Sequence, residues 1–280
     1  MKIIPAQRIT EAVSHLCIQA NYHLPADVKH CIKKMRAEET WPMAKDSLDK
    51  IIDNFNIADR RNTPVCQDTG MACVFLEIGH EVFVEGDINT AVDAGVCQGY
   101  DEGFLRKSVV EDPLRRKNTG DNTPALLYID YVAGDKINIT VAPKGFGSEN
   151  MSRIAMLKPS DGAQGIIDFV VETVDIAGPN PCPPIVVGVG IGGSFDKAAM
   201  IAKKALLRSL NDHSQDPYYA EMEAEILARV NSLGIGPQGF GGRTTALAVA
   251  IETMPTHIAG LPCAVNINCH VARHASEIIE

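Results

Sequence analysis

The sequence has no segment suited to crossing or entering a membrane. The first ten residues, MKIIPAQRIT, lack the apolar run that a signal peptide carries. The longest later apolar run, PPIVVGVGIGG, is too short and too rich in glycine to span a bilayer. We therefore expect a soluble protein of the cytoplasm.

A surplus of basic side chains is also missing. The chain has 26 Lys and Arg against 35 Asp and Glu. Because binding to nucleic acid or to an anionic membrane depends on clustered positive charge, this balance excludes a general surface for either partner. An anionic substrate would have to be bound by positive charge gathered locally.

The eight cysteines lack the close, regular spacing of a secreted disulfide framework. A chain of 280 residues can bury a large core without covalent or metal staples. Most of the cysteines are therefore expected to be small apolar core residues, and some to be ligands.

Hydrophobic periodicity predicts a fold of the mixed α/β (α+β) class. Apolar residues recur at helical spacing from Ile9 to Phe55, which predicts a helical N-terminal region over residues 1–60. Strand-like and helical runs then follow one another, which predicts a mixed sheet flanked by helices over residues 61–280. Since no repeat, low-complexity tract or linker interrupts the pattern, we expect a single domain over residues 1–280.

One local pattern predicts how two strands are paired. Apolar and polar residues alternate on both sides of Ala133-Gly134-Asp135, in the run LLYIDYVAGDKINITVAPKG. Such alternation around a short segment that contains glycine is typical of a hairpin. We therefore expect the strands on either side of Gly134 to be neighbours in the sheet.

Three glycines follow an apolar strand in the pattern Gly188-x-Gly190-x-x-Gly193, and a helix with Ser194 at its N-cap comes next. This is the context of a dinucleotide-binding fingerprint. However, a second helix follows the first, so the acidic residue that would bind the ribose has no natural place. A tight strand-to-helix turn is therefore the favoured alternative to a dinucleotide-binding module, and no Walker A sequence is present.

The run CAVNINCHVARH offers four side chains of the kind that bind zinc, namely Cys263, Cys269, His270 and His274. Strand alternation would put the two cysteines on the same side with five residues between them, which is an unusual spacing for zinc. A zinc-stabilised interaction protein is thus one hypothesis. The alternative is that His274 is a surface histidine on a C-terminal helix.

Three cysteines stand where regular structure begins or ends. Cys66, Cys182 and Cys269 lie among proline, glycine, asparagine or aspartate, in positions where loops carry functional groups. The prolines around Cys182 stiffen its segment and reduce the entropy lost when a ligand is fixed. The other five, Cys17, Cys31, Cys73, Cys97 and Cys263, fall inside helical or strand-like patterns, where a buried thiol is expected.

Six segments in order give the chain a resemblance to a known family. They are PVCQDTG, KNTGDNTPA, PKGFGSEN, NPCPPIVVGVGIGG, IGPQGFGG and HIAGLPCAVNINCHVARHA. Together they resemble the alpha subunit of the two-subunit class I fumarate hydratases, a family that includes the alpha subunit of L-tartrate dehydratase. The resemblance covers essentially all 280 residues.

The resemblance implies a 4Fe-4S cluster held by three cysteine thiolates. Cys66, Cys182 and Cys269 match those ligand positions. A cluster with three protein ligands keeps one iron open, and that iron acts as a Lewis acid on the substrate.

Further site residues are implied by position. Asp68 and His257 match catalytic positions, with Asp68 as the candidate acid/base group and the role of His257 left open. The expected substrate-binding residues are Gln67, Arg106, Thr119, Asn122, Gly145 and Gly147. Arg106 would grip a carboxylate with its planar guanidinium. Each also has an ordinary structural alternative, such as a solvated arginine or a glycine at the end of a strand.

The family's reaction is the reversible hydration of fumarate to (S)-malate, a step of the tricarboxylic acid cycle, with dehydration of L-tartrate to oxaloacetate as the alternative. Single-chain members continue into a second domain that supplies further substrate-binding residues. This chain resembles only the first part. The resemblance therefore implies a separate beta subunit that completes the active site, in a heterotetramer of two alpha-beta pairs.

Overall fold

The computed structural model describes residues 2–280. The helices are α1 (Ala6–Tyr22), α2 (Ala26–Glu38), α3 (Pro42–Arg61), α4 (Ile88–Glu102), α5 (Phe146–Glu149), α6 (Gly162–Ala177), α7 (Phe195–Ala205) and α8 (Pro217–Ser232). The strands are β1 (Lys2–Pro5), β2 (Met71–Gly79), β3 (Val82–Glu85), β4 (Leu126–Val132), β5 (Ile137–Lys144), β6 (Arg153–Leu157), β7 (Ile185–Gly192), β8 (Ala246–Met254), β9 (Leu261–Asn268) and β10 (Ala275–Ile279). The predicted mixed α/β class is confirmed.

Three of these helices, α1 to α3, follow the short strand β1, in the region that was predicted to be helical. Between residues 2 and 280, no helix combines the length and the apolar character needed to cross a bilayer. A cytoplasmic location stays a prediction.

The chain divides into two compact units. The first contains the residues up to Pro25, Phe55–Phe146 and Arg273–Glu280, and the second contains Ala26–Asn54 and Gly147–Ala272. This division is finer than the single domain expected from the sequence. Folding of residues 1–280 as one domain stays a prediction.

The first unit is built on a four-stranded sheet in the order β10-β5-β2-β4. Helices α1 and α4 pack against each other, and α1 also lies on β5 and β10. Apolar side chains of these elements form one buried core that includes Leu16, Leu76, Val96 and Ile139. The core supports β2, which begins directly after the segment that contains Cys66.

The predicted hairpin around Gly134 is wrong. Strand β2 lies between β4 and β5, parallel to the first and antiparallel to the second. The connecting loop passes over the end of β2, where the N–H of Glu81 donates to Gly134 O at 3.0 Å. Alternation and a turn signal are local properties, and they are the same whether two strands pair with each other or with a third strand between them.

The second unit has a four-stranded sheet in the order β6-β9-β7-β8. On one face, the odd-numbered residues of β7 pack with apolar side chains of α6 and α8. Helix α7 lies against the other face, where its alanines Ala198 and Ala202 join a small core with Ala264 of β9.

The glycines of the fingerprint pattern are explained by this packing. A Cβ atom on Gly188 would lie 2.2 Å from Ala202 O, and one on Gly190 would lie 2.1 Å from Ala198 O. Both distances are too short for a carbon atom, so only glycine lets α7 come this close to β7. The structure therefore favours the packing and turn interpretation over dinucleotide binding.

The C-terminal segment is a strand, so the helix expected around His274 is wrong. Residues of β10 pair with β5 from Ala275↔Val141 to Ile279↔Ile137. Ile279 is buried at 1% exposure, while Ser276 and Ile278 are exposed. This alternation over only five residues is too short to be separated from a helical pattern in the sequence.

Candidate functional site

Residues 66–70 form a turn in the first unit, which we call the Cys66 turn. The backbone N–H of Asp68 donates to the sulfur of Cys66 at 3.4 Å, and the N–H of Gly70 donates to Asp68 Oδ1 at 3.0 Å. Cys66 and Asp68 are half-buried. The turn thus presents a thiol and a carboxylate side by side.

The second carboxylate oxygen of Asp68 faces the segment after β5. The N–H of Phe146 donates to Asp68 Oδ2 at 3.2 Å. A Cβ atom on Gly145 would lie 3.1 Å from the same oxygen, which is a tight contact. Two of the predicted site residues, Asp68 and Gly145, therefore lie side by side, and the missing side chain of glycine leaves room for the carboxylate.

Two buried polar side chains, those of Tyr100 and Asn122, hold the Cys66 turn in place by hydrogen bonds to its backbone. The hydroxyl of Tyr100 donates to Thr69 O at 2.6 Å, and burial raises the pKa of the Tyr100 phenol, so it remains a proton donor. The Asn122 amide donates to Gly70 O at 3.2 Å and accepts from the N–H of Ser108 at 2.7 Å. Asn122 is fully buried, and its contact with a substrate stays a prediction. Its amide pins two loops together.

Of the predicted substrate-binding residues, Gln67 belongs to the Cys66 turn and Arg106 lies close to it, and both are exposed. The hydroxyl of Thr69 donates to Arg106 O at 2.9 Å, which attaches the backbone of Arg106 to the turn. The guanidinium of Arg106 makes no hydrogen bond or ion pair with another described residue, so it is available to an anion. Thr119 is half-buried, and its N–H donates to Val109 O at 3.0 Å.

Arg273 is a residue of this region that the sequence did not single out. It is only 4% exposed, and its Nη2 donates to Asp68 O. Its Nε and Nη1 have no hydrogen-bond partner among the described residues. Burying a guanidinium is costly, so its position against the turn is notable. The signal in the sequence that could have indicated its burial is its position directly after the apolar pair Val271-Ala272.

In the second unit, Cys182 and Cys269 lie at the same end of the sheet. Cys182 comes just before β7 and Cys269 directly follows β9, and these antiparallel strands pair through Val186↔Asn268. The backbone N–H of His270 donates to Cys182 O at 3.3 Å. Two of the three predicted ligand cysteines are therefore on adjacent segments of one unit, and Cys66 belongs to the other unit.

His257 lies at the opposite end of this sheet. It follows β8, which ends beside the last residue of β7 in the pairing Gly192↔Met254. The 8 residues of β7 span roughly 25 Å. The structure thus does not bring His257 to Cys182 or Cys269 of the same chain, and its catalytic role stays a prediction. Gly147 is exposed, and a Cβ there would be 3.9 Å from Asn180 O, near the Cys182 segment.

The cysteines outside the predicted ligand set are mostly sealed in the cores. Cys17 and Cys263 are completely buried, and Cys73 is 1% exposed. Burial raises the pKa of the Cys17 and Cys263 thiols to about 12. Cys263 is therefore a core residue of β9 and a poor zinc ligand. Cys31 is half-buried and Cys97 is exposed.

No group of three or more His, Cys, Asp or Glu side chains within residues 2–280 is arranged closely enough to hold a metal ion.

Known proteins identify the family of the chain. The family described as Fumarate hydratase (Fumerase) matches residues 10–277. These residues contain every candidate site residue. The chain belongs to this family.

Relatives of the chain carry names from the same class of enzyme. A protein of Methanocaldococcus jannaschii with the name "Putative L(+)-tartrate dehydratase subunit alpha" is 43% identical over 280 residues, which cover 98% of each chain. The L(+)-tartrate dehydratase subunit alpha of Escherichia coli O157:H7 is 32% identical over 97% of this chain and 91% of its own. The protein of the same name from Escherichia coli K12 is 31% identical over the same shares.

Membership of the fumarate hydratase family makes the chain a member of a hydro-lyase family, as its motifs implied. The relatives are named as alpha subunits, which implies a second subunit in those enzymes. Family and names agree on the class of reaction, and they differ on the substrate.

Proposed function

We propose that the chain is the alpha subunit of a 4Fe-4S hydro-lyase that reversibly hydrates fumarate to (S)-malate. The observation that carries the proposal is the Cys66 turn, in which a thiol receives a backbone hydrogen bond beside a carboxylate held by two N–H groups. Arg106, whose backbone is bound to this turn, supplies an exposed cation.

The chemistry of the cysteines fits an iron–sulfur cluster. Cys66, Cys182 and Cys269 are the ligand candidates, and all three are half-buried or exposed. In contrast, the buried Cys17 and Cys263 have raised pKa values that oppose the thiolate form. Thiolates are the usual ligands of such clusters. When bound, the cluster would supply a Lewis acid for the substrate's oxygen atoms.

Two side chains of this protein, those of Arg106 and Asp68, would bind the substrate and move its proton. The Arg106 guanidinium matches the two oxygens of a carboxylate, so it would orient one end of a dicarboxylate. Asp68 would take the proton from C3 of (S)-malate as hydroxide leaves C2, and would return the proton in the hydration direction. Gly70 and Phe146 hold its two oxygens, so little reorganisation is needed.

L-tartrate is the second candidate substrate, and the names of the relatives favour it. The M. jannaschii protein, 43% identical to the chain, is named for this activity. Tartrate carries a hydroxyl on C3 where malate carries only hydrogen, and its dehydration yields oxaloacetate. We retain fumarate as the main proposal because the segments NINCHVARHA and GFGGRTTALAV resemble the fumarate hydratase branch.

We further infer a beta subunit that completes the site, within a heterotetramer of two alpha-beta pairs. The support is that single-chain members of the family include a second domain, and that the relatives are named as alpha subunits. Copurification of the chain from its source, followed by mass determination of the complex, tests this inference. A chain that is always recovered alone would contradict it.

Two experiments test the proposal. The first is the iron, zinc and acid-labile sulfide content of the chain purified without oxygen, where about four irons and four sulfides per chain are expected. Zinc without sulfide would favour the zinc-stabilised interaction protein instead. The second is an assay of the alpha-beta complex with fumarate, (S)-malate and L-tartrate. A higher kcat/KM for tartrate would replace fumarate as the substrate, and no turnover of any of the three would refute the proposed function.

A further inference from the structure

The backbone at Cys182 has a conformation that needs support from outside its own segment. Cys182 has a φ of 55°, in the left-handed region that is unfavourable for residues other than glycine and asparagine. Its N–H donates to Pro179 O at 3.1 Å. A conformation of this kind persists only where the surrounding structure holds it, and such residues are concentrated at functional sites.

Gln238 provides two of the supporting contacts. Its backbone N–H donates to Pro183 O at 2.8 Å, and its side-chain amide donates to the same oxygen at 2.7 Å. Gln238 also has a left-handed backbone, with a φ of 55°. Pro183, the residue after Cys182, therefore accepts hydrogen bonds from both the backbone and the side chain of Gln238. The backbone conformation of Gln238 is itself unfavourable.

His270 provides the others. Its backbone N–H donates to Cys182 O at 3.3 Å, and its ring Nδ1 lies 3.0 Å from the same oxygen. The ring Nδ1 is also 3.3 Å from the Gln238 amide nitrogen. In one tautomer Nδ1 donates to Cys182 O, and in the other it accepts from Gln238. The imidazole thus bonds Cys182 directly in the first tautomer, and in the second it bonds the Gln238 amide that also donates to Pro183 O.

The loop that carries Gln238 is itself anchored by a buried carboxylate. Glu39 is 2% exposed, and its Oε2 accepts from the N–H of Arg243 at 2.8 Å. Its Oε1 accepts from the N–H of Trp41 at 3.0 Å, and the Trp41 indole donates to Phe240 O at 3.0 Å. The position of Gln238 therefore depends on a network that extends into the core of the second unit.

We propose that Gln238 and His270 are positioning residues that clamp the backbone of Cys182 and Pro183, and thereby fix the direction of the Cys182 sulfur as a cluster ligand. This inference rests on the proposed function, because it assigns Cys182 to the cluster. Neither residue reacts with the substrate in this proposal. Their action reaches the cluster through Cys182 and through His270's neighbour Cys269.

Isosteric variants separate the clamp from general packing. Gln238→Glu keeps the size of the side chain but places a carboxylate oxygen against Pro183 O. His270→Ala removes Nδ1, and His270→Asn restores an amide nitrogen near the position of Nδ1. Gln164→Glu is the matched control, because Gln164 is an exposed side chain on α6 that bonds Asp168.

The first readout is the release of iron to a chelator from the anaerobically reconstituted chain, with the visible spectrum of the cluster. Loss of an outer partner of a metal ligand typically costs 10- to 100-fold in affinity, so we expect release about 10-fold faster in Gln238→Glu and His270→Ala. His270→Asn and Gln164→Glu should match the wild type. Wild-type release rates in both clamp variants, or failure of His270→Asn to restore what His270→Ala loses, would overturn the proposal.

The second readout is hydrogen exchange of the cluster-free chain, which does not depend on iron. In Gln238→Glu, the His270 and Gln238 amides should exchange faster while the α6 amides are unchanged. If the wild type takes up no iron but this acceleration is seen, the clamp holds and the proposed function fails. If iron binds and exchange is unaltered, the clamp fails alone. Should Gln238→Glu not fold, Gln238→Gly keeps the left-handed backbone, removes the side chain and is measured in its place.

Discussion

The N–H of Phe146 donates to Asp68 Oδ2 at 3.2 Å, and this contact joins the segment after β5 to the Cys66 turn. With the N–H of Gly70 on Oδ1 at 3.0 Å, both oxygens of one carboxylate are oriented by backbone groups. A carboxylate with a fixed direction is suited to moving a proton at one atom of a bound substrate.

Replacing Asp68 by asparagine should remove most of the turnover and leave the cluster in place. The amide cannot take a proton from carbon, and general acid/base groups typically contribute about 100- to 10,000-fold. The measurement is kcat of the alpha-beta complex together with its iron content. Turnover close to that of the wild type would mean that another group moves the proton.

Alanine at Gly145 should disturb the Asp68 carboxylate directly. The new Cβ would lie 3.1 Å from Oδ2, so the carboxylate has to shift by a few tenths of an ångström. Since misplacing a reacting group by 1 Å costs about 100-fold, we expect a loss of kcat of about 10-fold or more.

Gly147→Ala is the comparison for Gly145→Ala, because it adds the same methyl group to another predicted substrate-binding glycine without crowding Asp68, and the loss of kcat should be larger in Gly145→Ala. A Cβ at Gly147 meets only Asn180 O at 3.9 Å, an ordinary contact, and neither glycine has a positive φ. Equal kcat values for the two alanine variants would show that crowding at Asp68 has no part in the reaction.

Serine at Cys66, Cys182 or Cys269 should abolish cluster assembly, because a hydroxyl is a poor substitute for a thiolate ligand of iron. Cys97→Ser is the matched control, since Cys97 is an exposed thiol on α4. The measurement is iron and sulfide per chain after anaerobic reconstitution. A similar loss in all four variants, or in none, would refute the assignment of the ligands.

Alanine at Gly188 or Gly190 should destabilise the protein. The added methyl group would meet a carbonyl oxygen of α7 at 2.2 or 2.1 Å, which forces the helix away from β7. Overpacking of this kind typically costs about 1–3 kcal/mol, and it is checked by denaturant unfolding. An unchanged free energy of unfolding, combined with weakened binding of a dinucleotide, would restore the fingerprint interpretation.

Glu39→Gln should lower the free energy of unfolding and make it less dependent on pH in the acidic range. Burial alone would raise the pKa of Glu39, but hydrogen bonds from the N–H groups of Trp41, Arg243 and Thr40 lower it below 4.5 in the folded chain. A depressed pKa stabilises the folded state fully above the ordinary value, and this contribution is lost as the pH falls through the folded value.

At neutral pH, the NH2 group introduced by Glu39→Gln would face backbone N–H groups that now donate to the carboxylate. Leaving these buried donors unpaired costs about 1–3 kcal/mol. The free energy of unfolding, measured between neutral pH and about pH 3, should therefore fall less steeply in the variant than in the wild type. Parallel pH curves for the two proteins would contradict the role of the Glu39 carboxylate.

The sequence alone predicted the class of fold and the segments that carry the chemistry. The helical period over α1 to α3 and the uninterrupted apolar run of β7 are local signals, and the elements follow them. The turn that holds Cys66, Asp68 and Gly70 was recognisable because its residues are neighbours in the chain. Local propensity and motif order need no knowledge of distant contacts.

Pairings between distant segments were decided by the tertiary structure. Strand β2 enters between β4 and β5, β10 joins β5, and both facts depend on which edges are free once the core has formed. Nothing near Asn122 in the sequence shows that its amide is sealed beneath Gly70. Likewise, the register of β7 with β8 and β9 sets His257 far from Cys182 and Cys269.

The same holds for the supports of the site. Arg273 reaches Asp68 across 205 positions of sequence, and Gln238 reaches Pro183 across 55. Local patterns predict which residues are helical, extended or exposed, because those properties depend on near neighbours. Which buried donor meets which backbone carbonyl is settled only when packing brings remote segments together, since each buried polar group must then find a partner.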